Sequence, residues 1–455
     1  METNLGFLTS PAGVWSKKNR RRRTVDTAKT VRIEQGTVHE SSLEDGAKSM
    51  YLDSASRSKP FQCSVDALQQ FYTRENAYVA NVGVCSNTLA KELAFEIDQA
   101  RSCIRSLING DSESEIVLTG GATEAINILA MSWGSSFLQA GDEIIVSTME
   151  HHSNIIPWQM IAERTGAKLK FLNISPKGDL QVKNLAKTIN PRTKLLAVTH
   201  VSHVLGSVND VKSLVDYAKC VNVKVLVDAC QSLPYMKVDV KQLGCDFLVG
   251  SGNKLFAAGG VGFLYVKKSV LKSIPAFLTG GESMFSNVSL EKSAIECGRL
   301  EAGFPPAAQV LALASSVQKL KSSLVFESAP AVGPMRNSPQ VDKHSALLSQ
   351  ILLEQLSDVP RITVYSPGPD SRPRVPICAF NVDGTDAEVI QSMLREKGIY
   401  ISAGTHQAIP LHRELGIESS VRVSFSHYNT VDDVARFTDT LKLAVDELPR
   451  SRSSP

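Results

Sequence analysis

No stretch of this chain approaches the ~20 uninterrupted apolar residues of a membrane helix, so no membrane-spanning role is expected. Its eight cysteines are scattered singly, with neither CxxC pairs nor disulfide-framework spacing. That excludes a disulfide-stapled scaffold and suits a reducing compartment, where most would be small buried residues. The adjacent His151 and His152 lack the i, i+4 spacing that places two ligands on one helix face, so no metal is expected. A formal net charge of +3 is too small to indicate nucleic acid as the main partner. What is present, 43% hydrophobic and 21% charged residues over 455 positions, suits a soluble globular protein able to bury one large core or two domains.

Residues 1–48 form a leader of different character, with Lys17, Lys18 and the run Arg20 to Arg23 amid Ser and Thr and few acids. It has no apolar h-region before a small-residue cleavage site. Its composition resembles an organellar transit segment, plastid-type or mitochondrial. A solvated tail on a cytoplasmic protein, or a nuclear basic run, is the other reading.

From Met50 onward, short apolar runs alternate with helical stretches. The runs are Glu115–Thr119, Glu143–Ser147, Lys194–Thr199, Val223–Asp228, Asp246–Val249 and Gly262–Val266, with helical spacing over Ala125–Leu138 and Val211–Val221. Runs this short and apolar suit strands buried on both faces, which predicts an α/β fold with a mainly parallel, doubly wound sheet. That large domain is expected over 49–320, with 49–75 packing on a second unit. The Pro- and Ser-rich segment 327–342 reads as a linker or insertion. A smaller α+β domain then covers 343–448, with helices at Ser345–Leu356 and Asp386–Lys397 and strands at Pro376–Val382 and Val421–Phe425.

Several residues carry potential chemistry. Asp228 closes the strongest strand, at the end that faces the ligand crevice of a parallel sheet, where a buried carboxylate needs a cationic partner such as a protonated pyridine nitrogen. Lys254, between Gly250-Ser-Gly-Asn253 and Phe256-Ala-Ala-Gly-Gly260, sits where backbone is tight and solvent limited, the setting of an imine-forming nucleophile. Gly120-Gly121-Ala122-Thr123-Glu124 follows a strand and opens a helix, whose N–H groups and the Thr123 hydroxyl can hold a phosphate. His151 can stack on an aromatic cofactor, and Gln231 can donate to a cofactor oxygen. Alone, each has an ordinary alternative: a capping Asp, a solvated Lys, a structural His, a plain strand–turn–helix corner.

In order, TGGATEAINILAMSWG (119–134), MEHHSNIIPWQM (149–160), THVSHVLGS (199–207), VLVDACQ (225–231), DFLVGSGNKLF (246–256) and RLEAG (299–303) resemble the SufS-type cysteine desulfurases of the class V aminotransferase group. The likeness runs from about YLDSAS (51–56) to VRVSFSHYNT (421–430). It implies the pyridoxal 5'-phosphate (PLP)-dependent transferase fold, fold type I, and a homodimer with active sites at the subunit interface. It makes Lys254 the lysine that carries PLP covalently, with Asp228 on the ring nitrogen, His151 on the ring face and Gln231 at the ring oxygen. Thr123, Ser251 and the backbone near Ala122 hold the phosphate, and Arg422 takes the substrate's α-carboxylate, a bidentate task.

The departures from that pattern bear on chemistry. Where the family loop reads G-H-H-C-A-x-P, this chain has Gly404-Thr-His-Gln407-Ala-Ile-Pro410, so Gln407 stands at the persulfide cysteine and has no thiolate. Asn253 stands for a histidine, still able to donate to phosphate, and His203 for a cofactor-bonding asparagine. Phe304 replaces a threonine that reaches the partner's phosphate, and Val79–Asn87, which holds Cys85, lacks the usual His-Arg. Cys85 is a candidate substitute acceptor, or a small loop residue; Cys230 is expected to underlie the ring. The expected activity is sulfur mobilisation from cysteine or a related amino acid, for sulfur transfer or iron–sulfur cluster assembly, with a possible acceptor protein. A C–S lyase and a non-catalytic paralogue that binds an active relative are the alternatives.

Overall fold

The computed structural model describes residues 49–74, 88–280, 300–324, 340–368 and 373–449. The leader 1–48, Cys85 and most of the 327–342 segment lie outside the described residues.

Strand β1 (Met50–Tyr51) opens the described chain. Seven strands then build the large sheet: β2 (Ile116–Thr119), β3 (Glu143–Ser147), β4 (Lys168–Leu172), β5 (Thr193–Thr199), β6 (Lys224–Asp228), β7 (Phe247–Ser251) and β8 (Gly262–Val266). Their order is β2-β8-β7-β6-β5-β3-β4; β8 runs antiparallel to both neighbours and all other pairs are parallel. The architecture is the expected α/β fold with a mixed, mostly parallel sheet. Alternation along each strand feeds two cores: Val225 and Val227 join one face, whereas Leu226 joins the other with Trp133, Trp158 and Phe247.

Two elements depart from the expected pattern. Strand β4 is not among the expected runs, because this edge strand alternates Lys168 and Lys170 with apolar residues and fully buries only Leu172. The helix expected over Ala125–Leu138 starts at Ala122, loses α geometry after Leu129 and widens into a π-turn over Ala130–Gly134. That wider turn seats Trp133 against Phe247, with ring centroids 6.0 Å apart, in the core beneath the sheet.

The chain then forms β9 (Ile362–Val364), β10 (Ile377–Val382), β11 (Ile399–Tyr400), β12 (Ser402–Gly404) and β13 (Ser420–Ser424). Four of these make an antiparallel sheet, β12-β13-β10-β9, while β11 pairs in parallel with β1. A third apolar core, with Phe380, Phe425 and Phe437, fills the space between this sheet and its helices. Met50 and Leu52 join that third core, but the following Phe61 and Phe71 pack into the large-sheet core, Phe61 stacking on Phe256 at 4.4 Å. Residues 49–74 therefore contribute to the cores of both sheets. Among the described residues no helix is long and apolar enough to cross a membrane.

Candidate active site

The register Thr199–Asp228–Val249 aligns the carboxyl ends of β5, β6 and β7, so that Asp228, the last residue of β6, lies beside the turn leaving β7 that carries Lys254. Lys254 follows β7 in a tight turn, its N–H donating to the Ser251 carbonyl at 3.1 Å. The Ser58 hydroxyl donates to the Lys254 carbonyl at 3.0 Å, so a distant segment holds this turn. Asp228 is buried, and its Oδ1 accepts the Cys230 N–H at 2.9 Å. Burial pushes its carboxyl up, while the Cys230 hydrogen bond and the Lys254 charge pull it back. The buried Cys230 thiol is pushed far up by burial and then by the Asp228 charge, which keeps it protonated.

Glu150, fully buried, lies behind Asp228. Its carboxyl accepts the Thr199 N–H at 2.8 Å, the Asn154 Nδ2–H at 2.8 Å and the Ser147 hydroxyl. Burial pushes it up to about 8; the neighbouring Asp228 adds to that and the three donors oppose it.

Gly121 caps the helix Ala122–Leu129 without any side-chain hydrogen bond, leaving the N–H groups of its first turn for a ligand. This helix start can descend onto the end of β8 because Gly262 has no side chain: a Cβ there would lie 2.7 Å from Gly121 Cα. Ser251 pairs with that same Gly262 at the buried end of β7. Thr123 is exposed, and its hydroxyl bonds the Ser153 hydroxyl at 2.8 Å.

Ser153, absent from the expected site, fixes the histidine. Its N–H donates to His151 Nδ1 at 3.1 Å and its hydroxyl lies 3.0 Å from the same atom. Nδ1 is therefore an acceptor and the neutral imidazole carries its proton on Nε2. Burial, then the Lys254 charge, lowers His151 to about 4, which keeps the ring uncharged. His203 stands edge-on to it, with ring centroids 5.2 Å apart and planes at 65°. Burial holds His203 far below its ordinary value, so its Nε2–H donates to the His406 carbonyl at 3.0 Å. Gln231 donates from Nε2 to the Ala55 carbonyl at 2.7 Å, leaving its second N–H and a buried Oε1 without a partner among the described residues.

From the small sheet, Arg422 on β13 enters the same place and is only 3% exposed. Its Nη1 donates to the His203 carbonyl at 3.1 Å, and Nη2 to Asp53 Oδ1 at 2.8 Å and Ser56 Oγ at 2.6 Å. The loop after β12 carries Gln407, whose side chain is exposed. His406 and Gln407 both adopt left-handed backbone, φ 49° and 56°. Their carbonyls are captured by His203 Nε2 and the His152 N–H, the latter at 2.9 Å, which pins the loop to the large sheet. Phe304 lies apart and is 49% exposed. The loop before it is held by Glu301, which pairs with both Nη atoms of Arg101 at 2.5 and 3.0 Å and accepts the Leu118 N–H at 2.6 Å. The structure thus gathers Lys254, Asp228, Gln231, His151, His203 and Arg422, and leaves Phe304 outside.

The aminotransferase class-V family model matches residues 50–437, the whole span of both sheets. The chain belongs to the class V aminotransferase family. Within the family it is 36% identical over 405 residues to a probable cysteine desulfurase of Synechocystis, covering 88% of this chain and 92% of that protein. It is 38% identical over 396 residues to a cysteine desulfurase of Salmonella agona, covering 86% and 92%. The crystal structure of cysteine desulfurase CsdA from Escherichia coli matches with a TM-score of 0.76 at 31% identity, over 88% of this chain and 96% of that one. The apo cysteine desulfurase of Thermococcus onnurineus matches at 0.77 and 28%, over 88% and 95%.

Family membership makes this a PLP-dependent enzyme. The residues present fit that cofactor. A buried carboxylate sits by a nearby lysine charge, and the second Nε2–H of buried Gln231 has no partner among the described residues and is free to donate to a cofactor oxygen. An uncapped helix start and an uncharged imidazole complete the cradle.

Proposed function

We propose that the protein is a cysteine desulfurase-type enzyme that mobilises sulfur from cysteine or a related sulfur amino acid, for sulfur transfer or iron–sulfur cluster assembly, with a weakened persulfide step. The observation that carries this reading is the convergence of Lys254, Asp228, His151 and Arg422 within electrostatic and hydrogen-bonding reach of one another where the two sheets meet. Bound there, PLP supplies an electron sink for bond breaking at the substrate's α-carbon. Lys254 would hold the cofactor and serve as the base that takes and holds the α-proton. Asp228 keeps the ring nitrogen protonated, and neutral His151 offers its ring face. The N–H groups at Ala122 with Thr123, Ser251 and Asn253 would hold the phosphate, Gln231 would serve the ring oxygen and Arg422 would take the α-carboxylate, whereas His203, its one N–H given to the His406 carbonyl, stands against His151 without a donor for the cofactor.

In this reading Gln407 occupies the place of the family's persulfide cysteine, the register being set by Gly404, His406, Ala408 and Pro410. An amide cannot attack sulfur, and Cys230, beside Asp228, is held protonated by burial and then by the Asp228 charge. The same exposed amide favours a second reading, a C–S lyase, because elimination needs no protein thiol. The exposed Phe304 supports a homodimer built around its loop. Product analysis of PLP-loaded protein given cysteine, cystine and selenocysteine separates these readings. Alanine with sulfur transferred to an added thiol supports the desulfurase, pyruvate with ammonia supports the lyase, and no turnover of any substrate overturns both.

A further inference from the structure

Arg422 already has an anionic partner. Asp53 Oδ1 and Ser56 Oγ together occupy Nη2, at 2.8 and 2.6 Å, while the Ser56 hydroxyl also donates to Asp53 Oδ1 at 3.0 Å. A guanidinium binds a carboxylate bidentately either end-on, through Nη1 and Nη2, or side-on, through Nε and Nη2. Both modes need Nη2. The other two nitrogens are not equivalent substitutes: Nη1 is committed to the His203 carbonyl at 3.1 Å, and Nε is buried with no partner among the described residues. A substrate carboxylate therefore meets an arginine whose shared corner is taken.

The occupant is also held in place. Ser56 N–H and Arg57 N–H close a turn on the Asp53 carbonyl at 3.0 and 3.3 Å. Tyr51 Oη donates to the Asp53 and Arg57 carbonyls at 3.0 and 2.7 Å. Residues 52–55 are stitched to β13 beside the arginine through Ser424 N–H to Leu52 O at 2.8 Å and Ala55 N–H to Ser424 Oγ at 2.9 Å. A carboxylate fixed this way loses little freedom on pairing, so it competes strongly with a ligand in solution.

We infer that Asp53, supported by Ser56, is an internal carboxylate that competes with the substrate's α-carboxylate for Arg422 and so sets the threshold for substrate entry. The inference rests on the reading of Arg422 as the carboxylate site. The turn also reaches the cofactor end, since Ala55 O accepts from Gln231 and Ser58 bonds the backbone of Asn253 and Lys254 at 2.9 and 3.0 Å. Displacing Asp53 is thereby mechanically linked to the lysine turn.

The test uses PLP-loaded protein and 3-mercaptopropionate, which has cysteine's thiol and carboxylate but no amine, with binding read by calorimetry. Asp53→Asn removes the competing charge and keeps the shape; it should tighten binding about tenfold and lower KM for cysteine by more than it changes kcat. Ser56→Ala, which leaves the charge, should tighten binding in the same direction but by less, and circular dichroism checks that both variants fold. Arg422→Ala should abolish binding. Unchanged or weaker binding in Asp53→Asn, with Arg422→Ala still abolishing it, overturns the competition and makes Asp53 a residue that orients the arginine. Binding that survives Arg422→Ala overturns the underlying reading of Arg422 itself.

Discussion

Replacing Glu150 with glutamine removes the proton-binding group from a buried chain that begins at Trp158, and it should flatten the protein's stability at alkaline pH. Trp158 Nε1 donates to Asn154 Oδ1 at 3.0 Å, which turns the Asn154 amide nitrogen toward Glu150 Oε2 at 2.8 Å. Burial pushes the Glu150 carboxyl from its ordinary 4.5 up to about 8. Above 4.5 the unfolded chain has lost this proton while the folded chain keeps it, so stability falls as pH rises and levels off only above about 8. At about 1.4 kcal/mol per pH unit, that interval amounts to a loss on the order of 5 kcal/mol. The Glu150→Gln variant would carry no such dependence. Its new amide nitrogen would, however, be set against either the Asn154 or the Thr199 donor, costing about 1–3 kcal/mol at every pH. Urea midpoints of the cofactor-free protein should therefore favour the wild type at about pH 5 and converge or cross by about pH 9. Parallel curves for the two proteins across that range would refute the assignment of a buried, proton-holding Glu150.

Purified protein incubated with PLP should show a visible absorption band that Lys254→Ala removes; a colourless wild type would contradict the cofactor site. The unmodified protein should turn over cysteine poorly and carry no persulfide on the Gln407 loop by mass spectrometry, whereas Gln407→Cys should raise desulfuration by at least about tenfold. Phe304→Asp should shift the protein toward monomer in sedimentation at micromolar concentration, if that loop forms the dimer contact. Gly206→Ala should be strongly destabilising in thermal melts, because Gly206 has φ +68° and a Cβ there would lie 2.2 Å from the Ile377 carbonyl.

The strands most legible in the sequence are those buried on both faces, where an apolar run is uninterrupted: Glu143–Ser147 and Gly262–Val266 coincide with the observed bounds. Edge strand β4 escapes such a reading because half its residues face solvent. The π-turn escapes it because helical periodicity does not register an added residue per turn. Lys254, Asp228 and Arg422 stand out because each sits in an ordered motif. Ser153 is within reach of sequence reasoning from its spacing, two residues after His151 and able to turn back onto it. Asp53 is not, since its pairing with Arg422 joins residues 369 positions apart. Glu150 reads as a charge on the surface until its three donors are seen around it.

The segment from Met50 to Ser58 has a bearing on how the chain tolerates shortening at its front. Within nine residues it supplies β1, the stitch to β13, the acid on Arg422, the carbonyl facing Gln231 and the hydroxyl on Lys254. Any maturation cut, affinity-tag removal or protease nick that passes Met50 would take sheet pairing and site residues together. Cuts before residue 49 touch none of these contacts. Trimming that passes Met50 should therefore remove sheet pairing and site contacts in one step, so that cofactor retention and folding fail together.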